Sequence, residues 1–256
     1  MDIRILGAHN SETINSSCVS LLIDGQLAVE AGGLTSRLAI EEQEKIDSII
    51  ITHNHMDHIC DIPMIALGSY LRGSCIDIYS TPHVCNTIQE HLLNTDVYPE
   101  FQHIPSNRPT INFMEIEPLA LQWVDGHSIL PVPVKHGNDS VGYEICDKKG
   151  SPVFFTGDTG PGLSDCWAQI SPQLLIIDVT VPDEYEDFAR ATGHLTPHLL
   201  EEELIDFRRM KNYLPEILTI HMDLAQEAAI KSQLEPVGER LQTAIGMAYE
   251  GMRFAI

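Results

Sequence analysis

Short apolar runs recur along most of the chain, and between them the apolar positions shift to a helical spacing. Ile3–Leu6, Val19–Ile23, Leu27–Glu30, Ser48–Ile51 and Ile76–Tyr79 read as strands. So do Ile111–Ile116, His127–Val134, Val141–Ile145, Val153–Phe155, Leu174–Asp178 and Ile217–Ile220. Helical patterns cover Ile59–Leu71, Pro82–Leu92, Pro197–Met210 and Ala225–Leu234. The third of these has a clear start, with Thr196 as cap, Pro197 in the first position and acidic residues in the first turn. Strands, helices, strands and helices in that order predict an α/β fold: two mixed sheets packed together with helices outside, an αββα sandwich. Asn94–Pro109 carries little periodicity and several prolines, and reads as an irregular excursion, a lid or a subunit contact.

Composition narrows the class. The 256 residues are 43% hydrophobic, enough for a sizeable core, and residues 1–256 are read as one domain without repeats or linkers. No apolar run nears the roughly 20 residues that cross a bilayer. The opening MDIRILGAHN lacks the basic and long apolar parts of a signal peptide, so a cytoplasmic protein away from membranes is expected. The six cysteines form no CxxC pair and no disulfide framework is expected. A formal charge of −22 argues against a long nucleic acid as partner, because polyanions need a basic track. A small anion is still admissible where metal cations reverse the local field.

The strongest chemical signal is Ile49-Ile50-Ile51-Thr52-His53-Asn54-His55-Met56-Asp57-His58. An apolar strand runs directly into four candidate ligands. Alternation puts His53 and His55 on one side of an extended segment, and a bend into a helix turns Asp57 and His58 toward a second ion. Imidazole and carboxylate together suit zinc and its neighbours, manganese and iron among them.

HxHxDH resembles the signature of the metallo-β-lactamase superfamily, and the rest of the chain follows that family's order. The resemblance implies that His53 and His55 share a first metal with His136. It implies that Asp57 and His58 share a second with His221, and that Asp158, in Thr156-Gly157-Asp158, bridges the two. Two divalent ions, zinc first among the candidates, are the implied cofactors. Where the family usually carries an aspartate after the third strand, this chain carries Glu30.

Three stretches resemble the bacterial branch of class II cyclic-nucleotide phosphodiesterases: Thr52–Pro63, Phe155–Gly162 and Gly193–Leu200. The likeness runs from Ile3 to about Glu235. It implies a homodimeric enzyme that opens a small 3′,5′-cyclic nucleotide to a 5′-monophosphate, a metal-activated hydroxide attacking phosphorus in line. Asp57 would orient that hydroxide. His194 would protonate the leaving oxygen or contact phosphate, the other reading being a cap for the helix after it. Thr159 and Gly160 are candidate phosphate contacts. The same arrangement resembles transfer-RNA 3′-processing nucleases, and the fold also hosts lactonases and other ester hydrolases. Among the remaining histidines, His9 beside Asn10 reads equally as site or scaffold. His198 reads as a helix residue, and His83, His91, His103 and His127 as structural or surface residues.

Overall fold

Alternate residues of the run Ser48–Ile51 serve different layers. Ile50 joins the large apolar cluster between the sheets, while Ile49 and Ile51 join a smaller one under the helices. A strand buried on both faces reads as continuous apolar sequence, as this one does.

The computed structural model describes residues 1–256. Strands β1 (Asp2–Gly7), β2 (Ser20–Ile23), β3 (Leu27–Val29), β4 (Ser48–Ile50), β5 (Ile76–Ser80) and β6 (Ile111–Glu115) form the first sheet. The second holds β7 (Gln122–Val124), β8 (His127–Pro133), β9 (Val141–Cys146), β10 (Pro152–Phe155), β11 (Leu174–Asp178), β12 (Glu216–Ile220) and β13 (Ile245–Met247). The last strand, β14 (Arg253–Ala255), returns to pair antiparallel with β1. The sheets run in the orders β14-β1-β2-β3-β4-β5-β6 and β13-β12-β11-β10-β9-β8-β7. Each is half antiparallel and half parallel, with β3 to β6 parallel in one and β10 to β13 in the other. This is the expected αββα sandwich.

Helices α1 (Leu34–Arg37), α2 (Ile40–Gln43), α3 (Met56–Ile59), α4 (Ile62–Arg72) and α5 (Pro82–His91) belong to the first half of the chain. Helices α6 (Ser164–Gln169), α7 (Glu186–Thr192), α8 (Pro197–Lys211) and α9 (Glu227–Leu241) belong to the second. The Thr196 hydroxyl caps α8 by accepting the Leu199 N–H at 3.3 Å, as the sequence predicts. Helix α9 runs well past its predicted end and carries Pro236 in its interior. Val237 and Leu241 extend the buried stripe of Ile230 and Leu234, and that burial outweighs the lost backbone hydrogen bond. Asn94–Pro109 is irregular as expected, but it packs as a cover on the first helical layer, with Phe101 buried beside Leu92 and Leu93. No helix is long and apolar enough to cross a membrane.

Buried Glu203 of α8 ties the second helical layer together. Its carboxylate accepts the N–H groups of Gly162 at 2.6 Å and Leu163 at 3.2 Å, and the Trp167 indole N–H at 3.0 Å. Glu203→Ala leaves these donors buried and unpaired, and should cost roughly 3 kcal/mol in urea unfolding. Glu203→Gln, which keeps an acceptor, should cost less.

Candidate metal centre

The titratable cluster lies where β3, β4, β8, β10, β11 and β12 end, all at one edge of the sandwich. Past β4 the chain bends at Thr52, and His55 forms the N-cap of α3 in extended geometry. Helix α3 then swings Asp57 and His58 back toward the strand ends. His136 follows β8, Asp158 follows β10 and His221 follows β12. His221 sits at φ 69°, a left-handed conformation that a β-strand pattern does not announce, and its N–H is held by the Ala8 carbonyl at 2.8 Å. Gly157 has φ 60°, and a Cβ there would come within 2.6 Å of the Thr52 hydroxyl. Only glycine lets the chain turn Asp158 inward at this point.

All seven residues expected as ligands converge. His53, His55, His136 and Asp158 form one group and Asp57, His58, Asp158 and His221 another, with donor atoms within 4.8 Å of one another in each. Asp158 is common to both. Its Oδ2 lies 3.5 Å from His53 Nε2, 3.8 Å from His136 Nε2 and 3.4 Å from His221 Nε2, and its Oδ1 lies 3.2 Å from His58 Nε2. His221 Nε2 is also 3.1 Å from Asp57 Oδ2. Donors around one tetrahedral ion at about 2.0–2.2 Å are spaced by roughly 3.3 Å, so the separations match two shared ions.

Burial supports the same reading. His53 Nε2, His58 Nε2 and Asp158 Oδ1 are buried with no hydrogen-bond partner. Polar atoms left so are costly unless something binds them, and here they point into one cluster. Burial also drives His53 toward the neutral imidazole that ligates metal. It would raise the Asp158 carboxyl, but the imidazoles of His221, His58 and His53 overcome this and hold it well below its ordinary value. The donor set fits a pair of divalent cations.

Several candidate ligands are oriented from behind. His136 Nδ1 donates to the Gly193 carbonyl at 2.8 Å, leaving Nε2 for the centre. His53 Nδ1 meets the Thr52 hydroxyl at 3.0 Å. Glu30, fully buried at φ 63°, lies 3.5 Å from His58 Nδ1 and accepts the Thr52 hydroxyl. Burial pushes its carboxyl up. Glu30 thus stands behind the cluster, against His58.

The supporting residue that sequence reasoning overlooked is Asp178, buried at the end of β11. Its Oδ2 accepts from His194 Nδ1 at 2.7 Å and from the Thr159 N–H at 3.1 Å, and its Oδ1 accepts the Thr180 hydroxyl at 2.6 Å. Thr180 Oγ1 in turn lies 2.8 Å from His221 Nδ1. One carboxylate therefore sets two imidazoles. Burial would lower the His194 pKa, yet the charge and hydrogen bond of Asp178 raise it to about 9. Cations held by the adjoining donors would oppose this rise. The sequence signal was present: an aspartate ending an apolar strand, two residues before a threonine.

A cleft of about 530 Å³ opens onto the cluster, lined by Asp57, His55, His194, His221 and Asp158 among others. A larger groove of about 760 Å³ lies along α9 and β13, but none of the clustered donors reaches it. Thr159 and Gly160, expected to touch phosphate, do not line the cleft. Both are buried: Thr159 bonds Asp178 and the Lys135 N–H, and the Gly160 N–H bonds the Lys135 carbonyl. They fix the His136 strand end instead. Asn94–Pro109 contributes nothing to the cleft either. His9 is buried against Glu250, whereas neighbouring Asn10 does reach the cleft. His198 is exposed on α8 and paired with Glu186 at 2.8 Å.

Glu30→Gln removes the charge behind His58 and should weaken metal affinity by about 10–100-fold in a chelator competition. Asp158→Ala should lose both ions together by elemental analysis, because no other side chain belongs to both groups.

Comparison with known proteins agrees with this architecture. Among solved structures, unliganded yeast PDE1 superposes with a TM-score of 0.83 at 18% identity, over 100% of this chain and 99% of that one. The metallo-β-lactamase fold protein YhfI of Bacillus subtilis gives 0.77 at 16% identity, over 99% and 98%. The short form of human tRNase Z gives 0.71 at 18% identity, over 100% and 99%. The UPF0173 metal-dependent hydrolase of Myxococcus xanthus is 25% identical over 146 residues, 54% of this chain and 47% of that protein. The chain thus matches about half the length of that curated relative. A family model described as the β-lactamase superfamily domain matches residues 21–229, and the chain belongs to that superfamily.

Proposed function

We propose that the protein is a dinuclear-metal phosphodiesterase that opens a small 3′,5′-cyclic nucleotide to a nucleoside 5′-monophosphate. The observation that carries this reading is the Asp178–His194 pair at the edge of the metal cleft. Lactone opening needs metal and water, but departure of a ribose oxygen from phosphorus gains from a placed acid. A histidine held through one nitrogen by a buried carboxylate is such an acid.

His53, His55 and His136 would hold one cation, and Asp57, His58 and His221 the other, with Asp158 between. Zinc is the first choice, and manganese or iron suit the same donors. Bound there, divalent ions supply neutralisation of the phosphoryl oxygens and acidify water. The chain's own residues do the rest. Asp57, part of whose side chain is accessible, accepts a hydrogen bond from the attacking water and aims it at phosphorus. Asp178 holds the His194 ring by Nδ1, so that Nε2 is the nitrogen that gives its proton to the leaving 3′-oxygen. Thr180 holds the His221 ring in the same frame.

Likeness in fold to tRNase Z admits a nuclease of the same chemistry. The balance of 15 basic against 37 acidic residues favours a small substrate over a polyanion.

The test is a panel of cyclic AMP, cyclic GMP, a cyclic dinucleotide, bis-p-nitrophenyl phosphate, a transfer-RNA precursor and a lactone, offered with zinc or manganese. Turnover of cyclic mononucleotides is expected, and cleavage of the lactone alone overturns the reading. His194→Ala should lower kcat for the cyclic nucleotide by roughly 100-fold or more while bound metal stays near the wild-type level. Loss of metal would make His194 a ligand instead. Asp178→Asn should lower kcat in the same direction, since it removes the charge that holds the imidazole.

A further inference from the structure

The cleft wall beyond the metal donors has its own chemistry. It contains no lysine and no arginine. It contains instead Asn10, Glu12 and Asp223, with the exposed apolar side chains of Met56 and Phe188, 59% and 53% accessible. Glu12 is exposed at the cleft rim, with no protein group paired to either carboxylate oxygen. Asp223 commits Oδ1 to the Ala225 N–H at 2.9 Å and keeps Oδ2.

Charge comes first. Two divalent ions would bring four positive charges, and the carboxylates of Asp57, Asp158, Glu12 and Asp223 offset all four. With no basic side chain to add, a second negative charge on the ligand meets like charge in a partly desolvated cleft. The cleft therefore suits a monoanionic diester, and disfavours phosphomonoester dianions and pyrophosphates.

Hydrogen bonding comes second. An ionised carboxylate only accepts. A pair of free oxygens matches two donors side by side, as the N1–H and N2–H of guanine present them. The corresponding edge of adenine alternates donor and acceptor, which sets a lone pair against the carboxylate. A single free oxygen matches one hydroxyl. Phe188 and Met56 offer the apolar contact that a purine face takes.

We infer that the cleft selects a cyclic guanine ribonucleotide, with Glu12 reading the N1–H/N2–H edge and Asp223 reading the ribose 2′-hydroxyl. This rests on the phosphodiesterase reading above and names its substrate.

The test compares cyclic GMP, cyclic AMP and 2′-deoxy cyclic GMP on wild-type holoenzyme, Glu12→Gln and Asp223→Asn. It measures kcat/KM, and also binding of the phosphorothioate analogues of the first two by calorimetry. Wild type should favour cyclic GMP over cyclic AMP by about tenfold or more, the scale of one bidentate contact. Glu12→Gln should bring that ratio close to one in both measurements. Asp223→Asn should bring the ribose-to-deoxyribose ratio close to one. Equal use of both bases by wild type, or ratios unmoved by the variants, overturns the inference while leaving turnover of bis-p-nitrophenyl phosphate as support for the diesterase. If no phosphodiester is turned over, the functional reading falls. The calorimetric ratio then decides alone, and equal binding of the two analogues overturns the inference.

Discussion

The whole edge of the sandwich is organised by one buried carboxylate, Asp158, with four imidazole nitrogens between 3.2 and 3.8 Å from its oxygens. Gathering so many polar groups in a dry place is unfavourable unless cations occupy the space among them. The fold offsets this cost by fixing the donors at strand ends and on the short helix α3, with hydrogen bonds behind His53, His136 and His221. The left-handed turns at Gly157 and His221 belong to that requirement. They bend the chain inward where a strand would otherwise continue past the centre.

A second carboxylate, Asp178, completes the arrangement from the neighbouring strand β11. Asp158 gathers the donors, and Asp178 sets the orientation of His194 directly and of one donor, His221, through Thr180. The donor cluster and the Asp178–His194 pair thus share one frame, β11 with its parallel neighbours β10 and β12. Strand cores of this kind tolerate little movement, which the proposed acid role of His194 would need.

The layers and the metal donors were legible in the sequence because both depend on patterns that survive in one dimension. Ile49-Ile50-Ile51 announces a strand buried on both faces, and HxHxDH puts four donors within a bend of each other. His136, Asp158 and His221 were legible only by family order, since their approach depends on how the sheets close. The role of Thr159 and Gly160 was misread for a related reason. A glycine-rich turn after a strand looks alike whether it faces a ligand or its own scaffold, and here Lys135 and Asp178 occupy it. Strands of three residues at the sheet edges, β7, β13 and β14, are too short to show alternation. The extension of α9 through Pro236 was hidden because a local rule about proline was overridden by a buried stripe.

Gly193 closes helix α7 in a left-handed conformation, and its carbonyl holds the tautomer of His136. The same short helix carries Phe188 at the lip of the cleft. A molecule that presses on Phe188 therefore leans on the element that aims a histidine into the centre. Five residues of chain join the lip of the cleft to the carbonyl behind His136, so substitutions at Phe188 are expected to alter metal preference as well as what the cleft admits.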